Sequence, residues 1–314
     1  MIRKLLVLML VITTGCVSPR IENKLQSVSR AEQIRSELGN AAVKHVFVVA
    51  HRAAWKNAPE NSRSAVVNAI NMGVDIIEID IRKTRDGEYI LMHDTTVDRT
   101  TNGKGEVKDL TLEQLRKLRL VGSDGQPGKE VIPTLSEILQ LTKGRIMVNL
   151  DKAEPYFNEI QLLLKRTETS RQVILKGNSN SAEVYARLGI DSDIIYMPIF
   201  RMNKKQDALE NKNGILDLDE MFSSNEQIRL TELVFADLDS PAVSTNVMQE
   251  FKLANVRAWV NTLQVAHPTG YSDSEALKTP DRVWGTLIRR GFSIIQTDEP
   301  KALLNYLRIK KLHD

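Results

Sequence analysis

A single cysteine, Cys16, stands in 314 residues. One cysteine cannot form an intrachain disulfide, so the folded part of the chain must rely on its core. An excess of one charge is also missing: 43 Lys and Arg face 40 Asp and Glu, a formal net charge of +3. Aromatics make up 5% of the chain, and no basic stripe is interleaved with them. That balance argues against nucleic acid as a partner. The apolar stretch from Leu5 to Ile12 is too short to span a bilayer comfortably. No internal repeat or low-complexity tract is evident.

The chain begins with a leader pattern. Arg3-Lys4 is a short basic region, Leu5 to Ile12 is apolar, and Thr13-Thr14-Gly15-Cys16 is small and ends in cysteine. This reads as a secretory signal. It resembles a bacterial lipoprotein signal in which Cys16 is lipidated after cleavage, with Thr13 where an aliphatic residue is usual. Residues 1–15 are therefore expected to be removed and 16–44 to form a tether ending in a helix. Residues 45–314 are expected to form the main domain. The mature protein is expected to be exported and held at the bacterial cell envelope by a lipid on Cys16. Removing Arg3 and Lys4 brings the formal charge from +3 to about +1.

From Val46 onward, apolar strand-like runs alternate with amphipathic helical stretches. The runs are 46–50, 76–81, 89–92, 146–150, 173–175, 194–197, 233–236, 256–260 and 292–296. Helical patterns fall at 64–72, 111–118, 135–141, 156–166, 181–188, 219–230, 247–253, 281–290 and 300–307. Such alternation predicts a parallel sheet, and about eight strands in this length predict an α/β fold of the (β/α)₈ TIM barrel type. Nine runs is one too many. Arg85-Asp86-Gly87 is a turn signal, so the second and third runs are expected to form a hairpin-like excursion. Residues 95–130 are polar and rich in glycine, and read as a long functional loop over the active face.

Chemistry concentrates at the ends of these runs. Glu78 and Asp80 are two apart on one strand and so share a face, with Ile77, Ile79 and Ile81 on the other. Two carboxylates on a buried face are costly unless a cation neutralises them, and oxygen ligands suit Ca²⁺ or Mg²⁺. His51 and His93 end the neighbouring runs and are placed to exchange protons with a substrate held there. Asp151, Lys176, Asn261 and Asp298 also fall at or just past run ends, where a barrel carries its active site.

These residues resemble the glycerophosphodiester phosphodiesterase family. The matching motifs are His51-Arg52, Pro59-Glu60-Asn61, Glu78-Ile79-Asp80, Thr84-Arg85-Asp86-Gly87, His93-Asp94 and Arg99-Thr100-Thr101. Farther on, Ala258 to Thr262 is similar to the family's tryptophan strand, and Gly291 to Pro300 to its closing strand. The resemblance implies a barrel that uses one divalent cation to hydrolyse a small-molecule phosphodiester next to glycerol. It implies His51 and His93 as the acid/base pair, Glu78 and Asp80 as metal ligands, and Arg52 as a phosphate contact. Glu60 becomes a further carboxylate, as ligand or as support for one. Where the family has glutamate and then, two residues on, lysine, this chain has Asn149-Leu150-Asp151-Lys152. Asp151 is then the third ligand, Lys152 is expected on the opposite face, and Lys176 is expected to supply the missing cation. Ala53 replaces the glycine that usually follows His-Arg.

Each residue also has a plainer reading. The histidines could be core histidines, and Asp151 could cap the following helix. Trp259 is expected to be pocket wall in preference to core. Asp298 is expected to cap the last helix, and Asn61 to cap the helix after it. His45, His267 and His313 receive no role. Two other functions stay open: a phospholipase-type lyase that forms a cyclic phosphate, and a non-catalytic lipoprotein that binds phosphoglycerol.

Overall fold

The structure, a computed structural model, describes residues 28–189, 192–201, 222, 228–263 and 268–314. The expected leader, Cys16, His267 and most of the helical pattern at 219–230 lie outside the described residues.

Among the described residues there are nine strands: β1 Phe47–Ala50, β2 Ile76–Lys83, β3 Tyr89–Leu91, β4 Met147–Asp151, β5 Val173–Gly177, β6 Ile195–Arg201, β7 Arg229–Val234, β8 Val256–Asn261 and β9 Phe292–Thr297. All but β3 pair in parallel in the order β1-β9-β8-β7-β6-β5-β4-β2, and β1 pairs back to β2. This is the closed (β/α)₈ barrel. The ninth run is the expected excursion: β3 runs antiparallel to β2, with Ile81 opposite Leu91. Gly87, at φ +89°, supplies a left-handed residue in the turn. The end of the 219–230 helical pattern is corrected, because Arg229 and Leu230 begin β7.

The helices are α1 Arg30–Leu38, α2 Arg63–Met72, α3 Leu112–Leu115, α4 Leu135–Thr142, α5 Phe157–Thr167, α6 Ser181–Leu188, α7 Thr245–Leu253, α8 Asp273–Lys278, α9 Thr286–Arg290 and α10 Pro300–Ile309. A π-turn, Asp281–Gly285, leads into α9. Their starts follow local capping chemistry. Ser62 accepts from the Ala65 N–H at the head of α2, and Thr134 with Glu137 forms a reciprocal capping box at α4. Gly73 closes α2 in the left-handed conformation at φ +83°.

Strand alternation sorts the side chains into two cores. Val48, Ile77, Ile79, Val148, Leu150 and Leu175 join the large cluster under the surrounding helices. Phe47, Val49, Ile76, Met147, Ile174 and Ile294 join a second cluster inside the barrel, closed at the bottom by Ala31, Ile34 and Leu38 of α1. Glu78 and Asp80 share the period of Ile76, so they continue that interior column toward the C-terminal end of the strand. The barrel interior is therefore apolar below and ionisable above. The 95–130 insertion has its own small core of Val97, Val107, Leu115 and Leu120 against Ile90 and Met92 of the excursion. Its helix α3 is shorter than the pattern at 111–118 predicts.

Candidate active site

Where β1 ends, the chain turns sharply. Arg52 and Ala53 adopt φ +49° and +62°. Left-handed backbone costs a residue with a Cβ roughly 1 kcal/mol or more, and such strain gathers at functional sites. Here it turns the Arg52 N–H onto Glu78 Oε2 at 2.9 Å.

Glu78 and Asp80 are each 1% exposed, and β2–β4 register puts Asp151 beside Asp80. One carboxylate oxygen from each of the three lies within 4.8 Å of the others. Burial, then the charge on Asp80, pushes the Glu78 carboxyl up to about 7, against the pull of His51 and Lys176. Asp80 escapes the same fate. Burial would raise it, but the Lys152 ammonium, which contacts Oδ1, and nearby His93 outweigh burial and lower it. The Asn61 side chain adds a bond to Asp80 Oδ2 at 2.9 Å. Asp151 is opposed by burial, yet Lys176, 3.2 Å from Oδ2, and Lys152 bring it down to about 2. Three convergent carboxylates with only oxygen donors fit a hard divalent cation. Glu78, whose carboxyl burial pushes up, is the group whose ionised form such a cation would favour most.

Both expected histidines stand at this cluster. His51 Nδ1 lies 2.8 Å from Asp298 Oδ1, and His93 Nδ1 lies 2.7 Å from Asp94 Oδ1. Each Nδ1 is thus occupied, which leaves Nε2 as the nitrogen a substrate can use. For His51, burial works against the charged form. The Asp298 hydrogen bond, with the charges of Glu78 and Asp298, outweighs burial and raises the imidazole above its usual value. Asp298 is itself braced. It accepts from Trp55 Nε1 at 2.7 Å, and its N–H donates to Asp273 Oδ2 at 2.7 Å. Asp273 is held by the hydroxyls of Thr262 and Thr297, and burial pushes its carboxyl up to about 6.

His51, His93, Glu78, Asp80, Asp151 and Lys176 line one pocket of about 230 Å³, together with Arg201, Glu232, Asn261 and Gln296. Two buried polar atoms here, Arg52 Nε and Gln296 Oε1, have no hydrogen-bond partner, and Arg52 Nε lies 3.9 Å from Asp80 Oδ2. An unpaired buried donor beside such a pocket suits an incoming acceptor oxygen.

Residues 51–190 match the glycerophosphoryl diester phosphodiesterase family. They belong to it. Residues 196–307, the other half of the barrel, match a family described only as a domain of unknown function. A glycerophosphodiester phosphodiesterase of Caldanaerobacter subterraneus subsp. tengcongensis is 45% identical over 107 residues, which is 33% of this chain and 44% of that protein. The chain thus aligns with less than half the length of that relative. In fold, the chain resembles a glycerophosphoryl diester phosphodiesterase from Parabacteroides distasonis, at TM-score 0.73 and 20% identity over 90% of this chain and 93% of the other. It also resembles a phosphodiesterase from Oleispira antarctica solved with the product sn-glycerol-3-phosphate, at TM-score 0.58 and 21% identity over 85% and 99%. The family's signature motifs and the strained turn after β1 therefore lie in the half of the barrel that carries His51, the three carboxylates, His93 and Lys176.

Four expectations are corrected by the geometry, and that for Glu60 is narrowed to support. Asp298 is not a helix cap: α10 starts after Glu299 with no side-chain cap, and Asp298 holds His51 instead. Lys152 does not point away. The strand ends at Asp151, Lys152 takes φ +60°, and its ammonium turns back onto Asp80. Asn61 does not cap α2; Ser62 does, and Asn61 braces Asp80. Glu60 lies outside the carboxylate cluster. It binds Arg52 at 3.0 and 3.1 Å and Arg99 at 2.8 Å through both oxygens, which fixes the two guanidinium groups. Trp259 is fully buried in the barrel interior, below the pocket, and its Nε1 supports Asn261 Oδ1 at 2.9 Å. Lys176 does reach the pocket, but its charge is shared between Asp151 and Glu232 Oε2 at 3.3 Å. Arg99, Glu232 and Gln296 were not singled out as site residues. Gln296 ends the run 292–296, which was the available signal; Glu232 falls before the run 233–236, whose start the structure moves back to Arg229.

Proposed function

We propose that this chain hydrolyses glycerophosphodiesters to an alcohol and a glycerol phosphate, as a metal-dependent phosphoric diester hydrolase. The observation that carries the reading is the three-carboxylate cluster flanked by two imidazoles, each backed by its own carboxylate, in one pocket. Glu78, Asp80 and Asp151 would hold one Ca²⁺ or Mg²⁺, which when bound offsets the charge of the phosphate oxygens. Arg52 is oriented by Glu60, and its unpaired Nε lies 3.9 Å from Asp80 Oδ2. One histidine takes the proton of the attacking oxygen as its bond to phosphorus forms. The other gives a proton to the alcohol oxygen as its bond to phosphorus breaks. That the Oleispira neighbour binds sn-glycerol-3-phosphate supports the product assignment.

Incubation of glycerophosphodiesters carrying different head groups, with product analysis, tests this. Release of glycerol phosphate and the free alcohol is expected. A cyclic phosphate as the end product would mean that the neighbouring hydroxyl, not water, attacks, and would select the lyase reading. The polar pocket lining favours soluble glycerophosphodiesters.

Asp298 is assigned a positioning role through His51. Asp298→Asn should lower turnover by up to ~10⁴-fold, the loss seen when the carboxylate that fixes a catalytic imidazole's tautomer becomes an amide. The Asp298 bond raises the His51 pKa, so its loss should also move the His51-dependent limb of the pH–rate profile to lower pH. An unmoved profile would reduce Asp298 to a structural group.

For the leader, the reading is export with a lipid on Cys16. Cys16→Ser should shift the protein from the membrane to the soluble fraction, and processing should be sensitive to globomycin. Wild-type protein already soluble in the periplasm would reject lipidation. Stable fractionation requires more than one acyl chain, because a single chain binds membranes marginally.

A further inference from the structure

The opposite, N-terminal end of the barrel holds a second cluster of metal-ligand type. His45 precedes β1, Asp75 precedes β2, and His313 follows α10. One ligand atom from each lies within 4.8 Å of the others. His313 Nε2 is 3.0 Å from Asp75 Oδ2, and His45 Nε2 is 3.4 Å from the same oxygen. The Asp75 and His313 side chains are 2% and 3% exposed, and His45 is 12% exposed. The two rings stack obliquely, with centroids 4.6 Å apart.

Three features distinguish this cluster from a simple ion pair. The His45 Nε2 atom is buried without a hydrogen-bond partner. A buried, unpaired ring nitrogen aimed at a carboxylate shared with another imidazole is costly without a further group between them. Second, both outer ring nitrogens face acceptors. His313 Nδ1 lies 3.1 Å from the Asp314 carbonyl, and His45 Nδ1 lies 3.6 Å from Glu37 Oε2. Metal-bound imidazoles characteristically present their second N–H to a carbonyl or carboxylate, which fixes the tautomer. Third, Asp75 is held in place by other donors. The Val48 N–H reaches Oδ2 at 2.9 Å and Arg30 Nη2 reaches Oδ1 at 3.3 Å, so the second Oδ2 lone pair, which faces His313 Nε2 at 3.0 Å, is the one a metal would take. Separations of 3.0–3.4 Å between ligand atoms are near those of a tetrahedron with ~2.0–2.2 Å bonds.

We propose that His45, Asp75 and His313 form a structural site for a borderline transition-metal dication such as Zn²⁺, tying the C-terminal tail to the floor of the barrel. Two imidazoles and one carboxylate suit Zn²⁺ rather than Ca²⁺ or Mg²⁺, so the site differs in preference from the all-carboxylate cluster at the other end. The fourth position is left to water. His45 also borders a groove of about 270 Å³ between residues 41–46 and α7, which gives solvent a way in.

The test compares the full chain with His45→Gln and His313→Gln, all stripped with EDTA and then given excess Mg²⁺. Zn²⁺ titration should show one tight equivalent in the wild type that each variant lacks or binds at least ~10²-fold more weakly. Co²⁺ substitution should give visible absorption bands in the wild type that both variants lose. Zn²⁺ should raise the melting temperature of the wild type and leave that of the variants unchanged, while Mg²⁺-supported hydrolysis by the variants stays at the wild-type level. Equal Zn²⁺ stoichiometry in all three proteins would overturn the proposal. If the variants fail to fold, the wild type alone decides it. Zn²⁺ must then shift the imidazole nitrogen resonances of both His45 and His313, and unshifted resonances would overturn it.

Discussion

Replacement of His51 or His93 by alanine is expected to lower turnover by roughly 10²–10⁴-fold while the fold persists, the usual range for losing one acid/base group. Each ring sits at the rim of the barrel, outside the hydrophobic clusters, and each is anchored by a single carboxylate. Removing the His51 ring leaves Asp298 with the Trp55 indole and a backbone N–H anchored on Asp273, so no buried carboxylate is stranded. The double variant should lose less than the product of the two single losses, because groups that act in one proton relay are not additive. One imidazole must start neutral and the other charged, so the pH–rate profile should be bell-shaped. The raised pKa of His51 means that its charged form persists to higher pH than in a free imidazole. Full turnover in either variant, with melting unchanged, would reject the mechanism. Loss of folding in both would return the histidines to the core.

Removal of divalent metal should abolish hydrolysis, and Ca²⁺ or Mg²⁺ should restore it. Lys152 and Lys176 offset Asp80 and Asp151, but Glu78, at 1% exposure beside them, has no cation of its own in contact among the described residues, and a metal ion would supply one. Activity undiminished by EDTA would sink the metal assignment. Glu78→Gln supplies the complementary result: strongly weakened metal binding with the fold intact, because an amide oxygen can still accept the Arg52 N–H. The variant should also change how stability depends on pH. The folded-state pKa of Glu78 is raised from 4.5 to about 7. As pH rises through that window the unfolded chain gives up this proton first, so the folded state holds more protons and stability falls. Metal-free wild type should therefore lose stability between about pH 4.5 and 7. Metal-free Glu78→Gln should lack that loss, which thermal melting across the range would show.

Much of the site was legible because strand periodicity is a local property. Glu78 and Asp80 share a face for any β2 of any register, and a run that ends in histidine places it at the barrel rim. The errors cluster where a strand stops. Alternation says nothing about Lys152, because the residue after β4 has left the extended region at φ +60°. Asn61 has a similar history: φ +54° turns it away from α2, and its amide joins Asp80. Capping is the commoner fate of Asp before Glu-Pro, and only the closing of β9 onto β1 brings Asp298 against His51. Trp259 shows the limit of position within a strand. A register shift at Ala258/Trp259 and the interior layer it occupies place its ring under the site and not along the wall.

By itself the sequence determined the alternation of strands and helices, the excursion at Gly87, and the carboxylates and histidines at the run ends. Each of these depends on residues within one or two turns or pleats of one another. Tertiary structure alone decided the partners. Lys176 is shared by Asp151 and Glu232 because β5 lies between β4 and the strands beyond it in the ring. Glu60 reads two guanidinium groups because the insertion brings Arg99 to it. His45 and His313, near the two ends of the described chain, meet at Asp75 because barrel closure returns α10 to the strand that began it. Contacts between residues this far apart carry no periodic signal, since their geometry is set by closure of the ring and not by the local chain.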